Sequence, residues 1–213
     1  MTKNKQLVCQ HRNFETVGAD FDLPIKIQEA TNPDRVLRFK MSDESLDRHG
    51  EVILQSGWDF SEFVENPVCM AFHDYNQWPL GKGIAVGVVD GAAYIDMEFD
   101  PKEVDERADV VFRKVVHGTI KAGSVGFIRK VWADVTDPSH KELFKGFPGA
   151  SRIYKEQSLL EWTICPIGAN KNALVELMAK RFGAEPIADT GSDCLDWSAI
   201  EAKIERNIQT MKG

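Results

Sequence analysis

Two short segments of the chain carry side chains suited to acyl transfer. In Ala122-Gly123-Ser124-Val125-Gly126 a small hydroxyl stands between two glycines in an otherwise apolar run, and in Phe72-His73-Asp74 a histidine precedes a loop ending at Pro79-Leu80-Gly81-Lys82. A serine nucleophile needs a base to take its proton and a third group to orient that base, and the three can come from distant parts of a chain. A histidine suits the base, because an unperturbed imidazole changes charge close to physiological pH. Glu161 is the best-placed acid for the third role. In Gln157 to Cys165 the alternation sets Leu159, Glu161, Thr163 and Cys165 on one face and Leu160, Trp162 and Ile164 on the other, the expected core face. An acid inside so apolar a strand needs a partner if it is buried. Asp43, Asp47 and Asp74 are lesser alternatives, and Asp74 would point to the opposite face from His73 if the strand continued.

Each residue also has a plainer explanation. On pattern alone a glycine-weakened strand with a bulge accounts for Ser124 ahead of any chemistry, and a surface histidine bonded to a neighbour accounts for His73. A solvated edge residue accounts for Glu161 as readily as a catalytic one. Ser124 lacks the Gly-x-Ser-x-Gly spacing of a nucleophile elbow, which removes the main support for an α/β-hydrolase. His117 falls at a helix C-terminus, His49 and His140 in loops and His11 in the tail, and no pair has the i, i+4 spacing of a helical zinc site. Neither a metal nor a cofactor is expected.

Several elements must position these groups. Met1 to Asn13 reads as a frayed tail, with a first strand around Leu23 to Gln28. Leu37, Phe39 and Met41 alternate with Arg38 and Lys40 as in a half-buried strand, followed by a loop from Ser42 to Gly50. A helical turn is expected from Trp58 to Val64, stopped by Asn66-Pro67, and then a strand from Val68 that ends on His73. Gly83 to Val89 and Ala93 to Phe99 flank Asp90-Gly91, the pair that accepts the positive φ angles of a tight hairpin. Asp100-Pro101-Lys102-Glu103 reads as a capping box opening a helix with Val104, Ala108, Val111, Phe112 and Val115 on its buried stripe, closed by Gly118. Ser124 lies on a strand within Thr119 to Val131, and Trp132 to Gly149 lacks periodicity, as an exposed loop or flap would. Asn170 is expected to cap a helix bearing Ala173, Leu174, Leu177 and Met178, ended by Gly183. After a linker, Trp197, Ile200, Ile204, Ile208 and Met211 form the apolar stripe of a last helix, which packs on the core or pairs with another chain.

The 213 residues, 43% of them apolar, suffice for one well-buried core with a helical appendage. A net charge of -7 and the lack of a dense Lys/Arg run argue against nucleic acid as the main partner. Cys9, Cys69, Cys165 and Cys194 are widely spread and read as reduced, small and mostly buried, consistent with the cytosol. Met1 to Arg12 has no apolar segment of the kind a cleavable signal carries, and no stretch approaches a membrane span, so neither secretion nor a membrane is expected.

Taken in order, these pieces resemble the prohead protease family of tailed bacteriophages, whose fold is similar to that of the herpesvirus assembly proteases. The resemblance runs from roughly Arg35 to Ala173. It rests on Ser42-Asp43 through Asp47-Arg48-His49-Gly50-Glu51-Val52-Ile53; on Gly57-Trp58-Asp59, Asn66-Pro67-Val68, His73-Asp74 and Pro79-Leu80-Gly81-Lys82; and on Gly123-Ser124-Val125-Gly126-Phe127, Leu160-Glu161-Trp162-Thr163, Pro166 and Ala169-Asn170. Asp134 to Gly149 has no counterpart. The resemblance implies an α+β fold, a mainly antiparallel closed β-barrel with helices outside, and a serine endopeptidase with His73 as base, Ser124 as nucleophile and Glu161 as third member. Backbone groups around Gly168, Ala169 and Asn170 are expected to supply part of an oxyanion hole. The implied substrates are the scaffold and the major capsid protein, cut inside the assembling procapsid in the host cytoplasm, with self-cleavage and a homodimer also implied. The expected organisation is a tail and first strand over 1–34, a protease domain over 35–183, and a linker with an amphipathic helix over 184–213. Two other readings are a catalytically silent capsid-assembly or scaffolding protein with a protease-like fold, and a different hydrolase such as an esterase.

Overall fold

Strands β6 (Gly81–Val89) and β7 (Ala92–Phe99) pair antiparallel across Asp90-Gly91, whose φ angles of 49° and 75° are those of the tight turn expected there. The structure, a computed structural model, describes residues 22–176. Around this hairpin lie β1 (Ile25–Lys26), on the outer edge of β6, and β2 (Val36–Asp43), on β7. Three short strands follow, β3 (Glu51–Ile53), β4 (Trp58–Asp59) and β5 (Val68–Ala71), then the long β8 (Gly123–Asp134) and β9 (Arg152–Ile164).

The α-helices among the described residues are α1 (Ser61–Glu65), α2 (Glu106–Val116) and α3 (Lys141–Lys145). The class is thus α+β with few helices and one curled sheet. The sheet forms a half-barrel rather than the closed barrel expected. Continuous ladders run β2-β7-β6-β5-β9, and β8 takes the other side of β9. Among the described residues no ladder joins β2 to β8, and the gap is spanned by isolated bridges, Phe39 to Val175 and Ala122 to Leu174. A physical reason lies in the 12 residues of β8 and the 13 of β9: these strands outrun the barrel and wrap a second small core of Val52, Ala133, Ala150 and Ile153.

Antiparallel pairs prevail, but β9 takes β3, β4 and β5 in parallel, end to end along one edge. Residues 51–71 therefore run beside β9 with α1 looped out between β4 and β5. At Gly57 a Cβ would lie 1.9 Å from the Lys155 carbonyl oxygen, so only glycine permits this approach. The main core lies inside the curl, where Phe39 packs with its ring tilted by 48°, 5.6 Å between centroids, against fully buried Trp162. Truncating so large a buried side chain costs about 3–5 kcal/mol.

Some expectations need correction. Helix α2 begins after Asp105, whose carboxylate accepts the Arg107 N–H, and not at Asp100-Pro101; Val104 lies before the helix and is exposed, while Ala108 and Val115 are buried. The Asp100 N–H is instead bonded to the Leu80 carbonyl, which holds 100–104 against the sheet as a turn. The Trp58 to Val64 turn divides into β4 and the five residues of α1. Residues 132–149 are no simple loop: β8 continues to Asp134, and α3 sets Leu143 and Phe144 against the second core. The helix expected after Asn170 is absent through 176: the Asn170 carboxamide does accept the Asn172 N–H, as a cap would, but 173–175 are drawn out as bridges between β2 and the residues leading into β8. Leu177, Met178, Gly183, the Trp197 to Met211 stripe and the tail before residue 22 lie outside the described residues. Cys69 and Cys165 are buried and unpaired.

Candidate active site

Residues directly opposed in an antiparallel ladder project to the same sheet face. Ser124 opposes Thr163 and Gly126 opposes Glu161, whereas Gly123 and Val125 oppose Ile164 and Trp162 on the core side. Ser124, Glu161 and Thr163 thus share a face across β8 and β9. The strand alternation is broken one step earlier: Phe127 pairs with Leu159, which leaves Leu160 unpaired in a bulge. Leu159 therefore enters the core with Trp162 and Ile164, and Leu160 does not.

The two glycines flanking Ser124 have steric causes. A Cβ at Gly123 would lie 2.1 Å from Trp162 Cζ2, and one at Gly126 would lie 2.4 Å from Glu161 Oε1 and 2.9 Å from its Cγ. The second glycine is the floor on which the Glu161 side chain rests.

His73 reaches this face from the neighbouring strand. β5 pairs with β9 through Ala71 and Ile164 and stops there. The sequence pattern carries the strand on to His73, but Phe72 and His73 take left-handed backbone, φ 57° and 54°. Such conformations cost of order 1 kcal/mol each in non-glycine residues and persist where surrounding bonds impose them. Those bonds are Phe72 N–H to Ile164 O at 3.1 Å, Asp74 N–H to Ala71 O at 3.0 Å, and His73 N–H to Thr163 Oγ1 at 3.0 Å. The turn swings the imidazole over β9, where Nδ1 is hydrogen-bonded to Glu161 Oε1.

The Glu161 side chain is 2% exposed and that of His73 39%. Tyr75 Oη donates to the same Oε1 at 3.5 Å, and burial together with the Glu161 charge pushes the phenol above its ordinary range, so it stays a donor. With Glu161 on Nδ1, the other ring nitrogen, Nε2, is left to act on a substrate or on Ser124. Ser124 and His73 line a common cleft of about 240 Å³ and a shallower one beside it. Ala169 and Asn170 line the first as well; Gly168 sits behind, packed so closely on the Gly123 carbonyl oxygen that a Cβ would lie 2.1 Å from it.

The other acids are occupied elsewhere. Asp74 accepts from the Asn76 backbone and side chain, and Asp47 from the N–H groups of His49 and Glu51. Asp43 lines the cleft but faces Ser45, Asn170 and Asn172; burial alone would raise its carboxyl, and the hydrogen bonds from these residues outweigh it and bring it to about 2. Among the described residues no group of three His, Cys, Asp or Glu is placed to hold a metal. Sequence reasoning missed Thr163 and Tyr75. The alternation did place Thr163 beside Glu161, and that was the available signal for it; Tyr75 is brought in by loop conformation. Comparison with protein-family models, with curated proteins and with solved structures finds no match to this chain.

Proposed function

We propose that the protein is a serine endopeptidase in which Ser124 is the nucleophile, His73 the general base and Glu161 the residue that holds the base. The observation carrying this reading is the buried Glu161 carboxylate bonded to Nδ1 of His73, which lines a cleft together with Ser124. Nε2 of His73 takes the Ser124 hydroxyl proton as Oγ attacks a peptide carbonyl carbon. The resulting oxyanion is received by backbone N–H groups of the 168–170 turn. His73 then returns the proton to the leaving amine, and water, deprotonated by the same nitrogen, releases the acyl group from Ser124. Throughout, Glu161 fixes the ring tautomer and faces the positive charge that forms on the imidazole.

The finer reading follows the family resemblance of the ordered motifs. The fold is herpesvirus-protease-like, the substrates are the scaffold and major capsid protein of a tailed phage, and cleavage takes place within the assembling procapsid in the host cytoplasm, with self-cleavage. The test has two arms. Purified wild type and Ser124→Ala are exposed to a fluorophosphonate, and both are co-expressed with the capsid protein of the same phage, whose intact mass is then measured. Labelling at Ser124 with a shortened capsid protein, both lost in Ser124→Ala, is the expected result. Labelling with uncut capsid protein favours a different hydrolase, and neither labelling nor cleavage, with capsids still assembling, favours a silent assembly protein.

A further inference from the structure

The mechanism leaves one sequence motif without a task, Asp47-Arg48-His49-Gly50-Glu51. Its conformation is set from within. The Asp47 carboxylate accepts the N–H groups of His49 and Glu51, both at 2.8 Å, the Asp47 N–H donates to the Glu51 carbonyl at 2.9 Å, and Gly50 turns the chain at φ 74°. Outside bonds anchor it to β9 and the residue before it: Ser151 N–H to Gly50 O at 2.7 Å, and Arg152 to the Glu51 carboxylate at 3.0 Å. What this rigid loop presents outward is Arg48. Its guanidinium Nη1 donates to the Gly168 carbonyl at 2.7 Å, and its backbone N–H donates to the Ala169 carbonyl at 3.0 Å.

We propose that Arg48 is a positioning residue for the oxyanion hole, clamping the 168–170 turn so that the Ala169 and Asn170 amides face the reacting carbonyl. In a trans peptide the C=O and N–H of one unit point in opposite directions. The Gly168 carbonyl shares its unit with the Ala169 N–H, and the Ala169 carbonyl with the Asn170 N–H. Two carbonyls held by Arg48 therefore turn two successive N–H groups the same way, and such a pair makes a concave anion site. Among the described residues neither amide has an acceptor, and both residues line the cleft with Ser124 and His73. The turn is held from its other end by the Asn170 carboxamide, which donates to Asp43 Oδ1 at 3.0 Å. Between the two anchors the pair is set before substrate arrives, the condition under which oxyanion donors are most effective.

This inference rests on the protease reading, and the experiment separates the two. Wild type, Arg48→Ala and Arg48→Lys are compared for kcat and KM on a peptide ester, for Ser124-dependent fluorophosphonate labelling, and for the amide NMR shifts of Ala169 and Asn170. Loss of a whole oxyanion donor costs about 10²–10³ in kcat. Arg48→Ala keeps the backbone bond to Ala169 and frees only the Gly168 carbonyl, so a roughly ten- to hundredfold fall in kcat with KM held is expected. Both amides should shift, the pH profile should keep its shape, and Arg48→Lys, which offers a donor to the same carbonyl, should recover part of the rate. Wild-type kcat in Arg48→Ala overturns the proposal while the protease reading stands. A loss carried by KM, or unmoved Ala169 and Asn170 amides, overturns it too. Absence of Ser124-dependent turnover in wild type overturns both, and the NMR shifts then report a clamp with no catalytic task.

Discussion

Gly126→Ala is a single methyl added beneath the candidate acid. The new Cβ would stand 2.4 Å from Glu161 Oε1, 2.9 Å from Cγ and 3.0 Å from Cδ, where ordinary contact begins at 3.4 Å. Glu161 must retreat by about 1 Å, and a displacement of that size in a catalytic constellation costs about 10²-fold in rate. Overpacking itself costs about 1–3 kcal/mol of stability. Gly123→Ala is the contrast: its Cβ meets the fully buried Trp162 ring at 2.1 and 2.4 Å and the Thr163 carbonyl oxygen at 2.6 Å. Neither of those can swing aside, so this variant is expected to lose the fold.

The assay for Gly126→Ala is single-turnover acylation of Ser124 by an active ester, with thermal unfolding and the His73 Nδ1 proton resonance recorded on the same sample. The expected outcome is a folded protein with a modestly lowered midpoint, acylation slowed about 10²-fold and a changed Nδ1 resonance. Wild-type acylation with that resonance displaced would refute the reasoning, since the rate would then be independent of where Glu161 sits.

Thr163→Val keeps the side-chain shape but removes the acceptor of the His73 N–H; a stability loss of about 1–3 kcal/mol and slower acylation are expected by denaturant titration and kinetics, both recovered in Thr163→Ser. The Asp43 carboxyl, held at about 2 against an ordinary 3.8, contributes stability that is present above 3.8 and is lost as pH falls toward 2. At its half-buried position, with solvent screening, that contribution is about 1 kcal/mol. Acid titration of unfolding in Asp43→Asn should lack this component of the pH dependence, and an unchanged profile would show that the Ser45, Asn170 and Asn172 bonds do not stabilise the charge.

Local features were legible where the physics is local. The Asp90-Gly91 hairpin follows from two residues that tolerate positive φ, and β2 and the Glu161 to Ile164 part of β9 follow from period-two alternation, because successive side chains of a pleated strand point to opposite faces. Other elements depend on competition at a distance. Asp100-Pro101 has the composition of a helix start, but the Leu80 carbonyl takes the Asp100 N–H, and Asp105 becomes the cap instead. Asn170 makes the cap-type bond to the Asn172 N–H, yet no helix follows through 176, because Leu174 and Val175 are bridged to Ala122 and Phe39, distant in sequence.

For the site, residue chemistry by itself nominated a hydroxyl, an imidazole and a carboxylate, and alternation placed Glu161 and Thr163 on one face. Their meeting is a tertiary event. It needs β5 and β8 on opposite sides of β9, a ladder that sets Ser124 against Thr163, and a left-handed turn at Phe72-His73 held by a bond to Thr163. The glycines around Ser124 illustrate the division most clearly. In sequence they look like a weakness in a strand; in the fold one makes room for Trp162 and the other for Glu161. Sequence carries the chemistry a side chain is capable of and the period of its own segment, whereas the space around it is set by residues that only folding brings near.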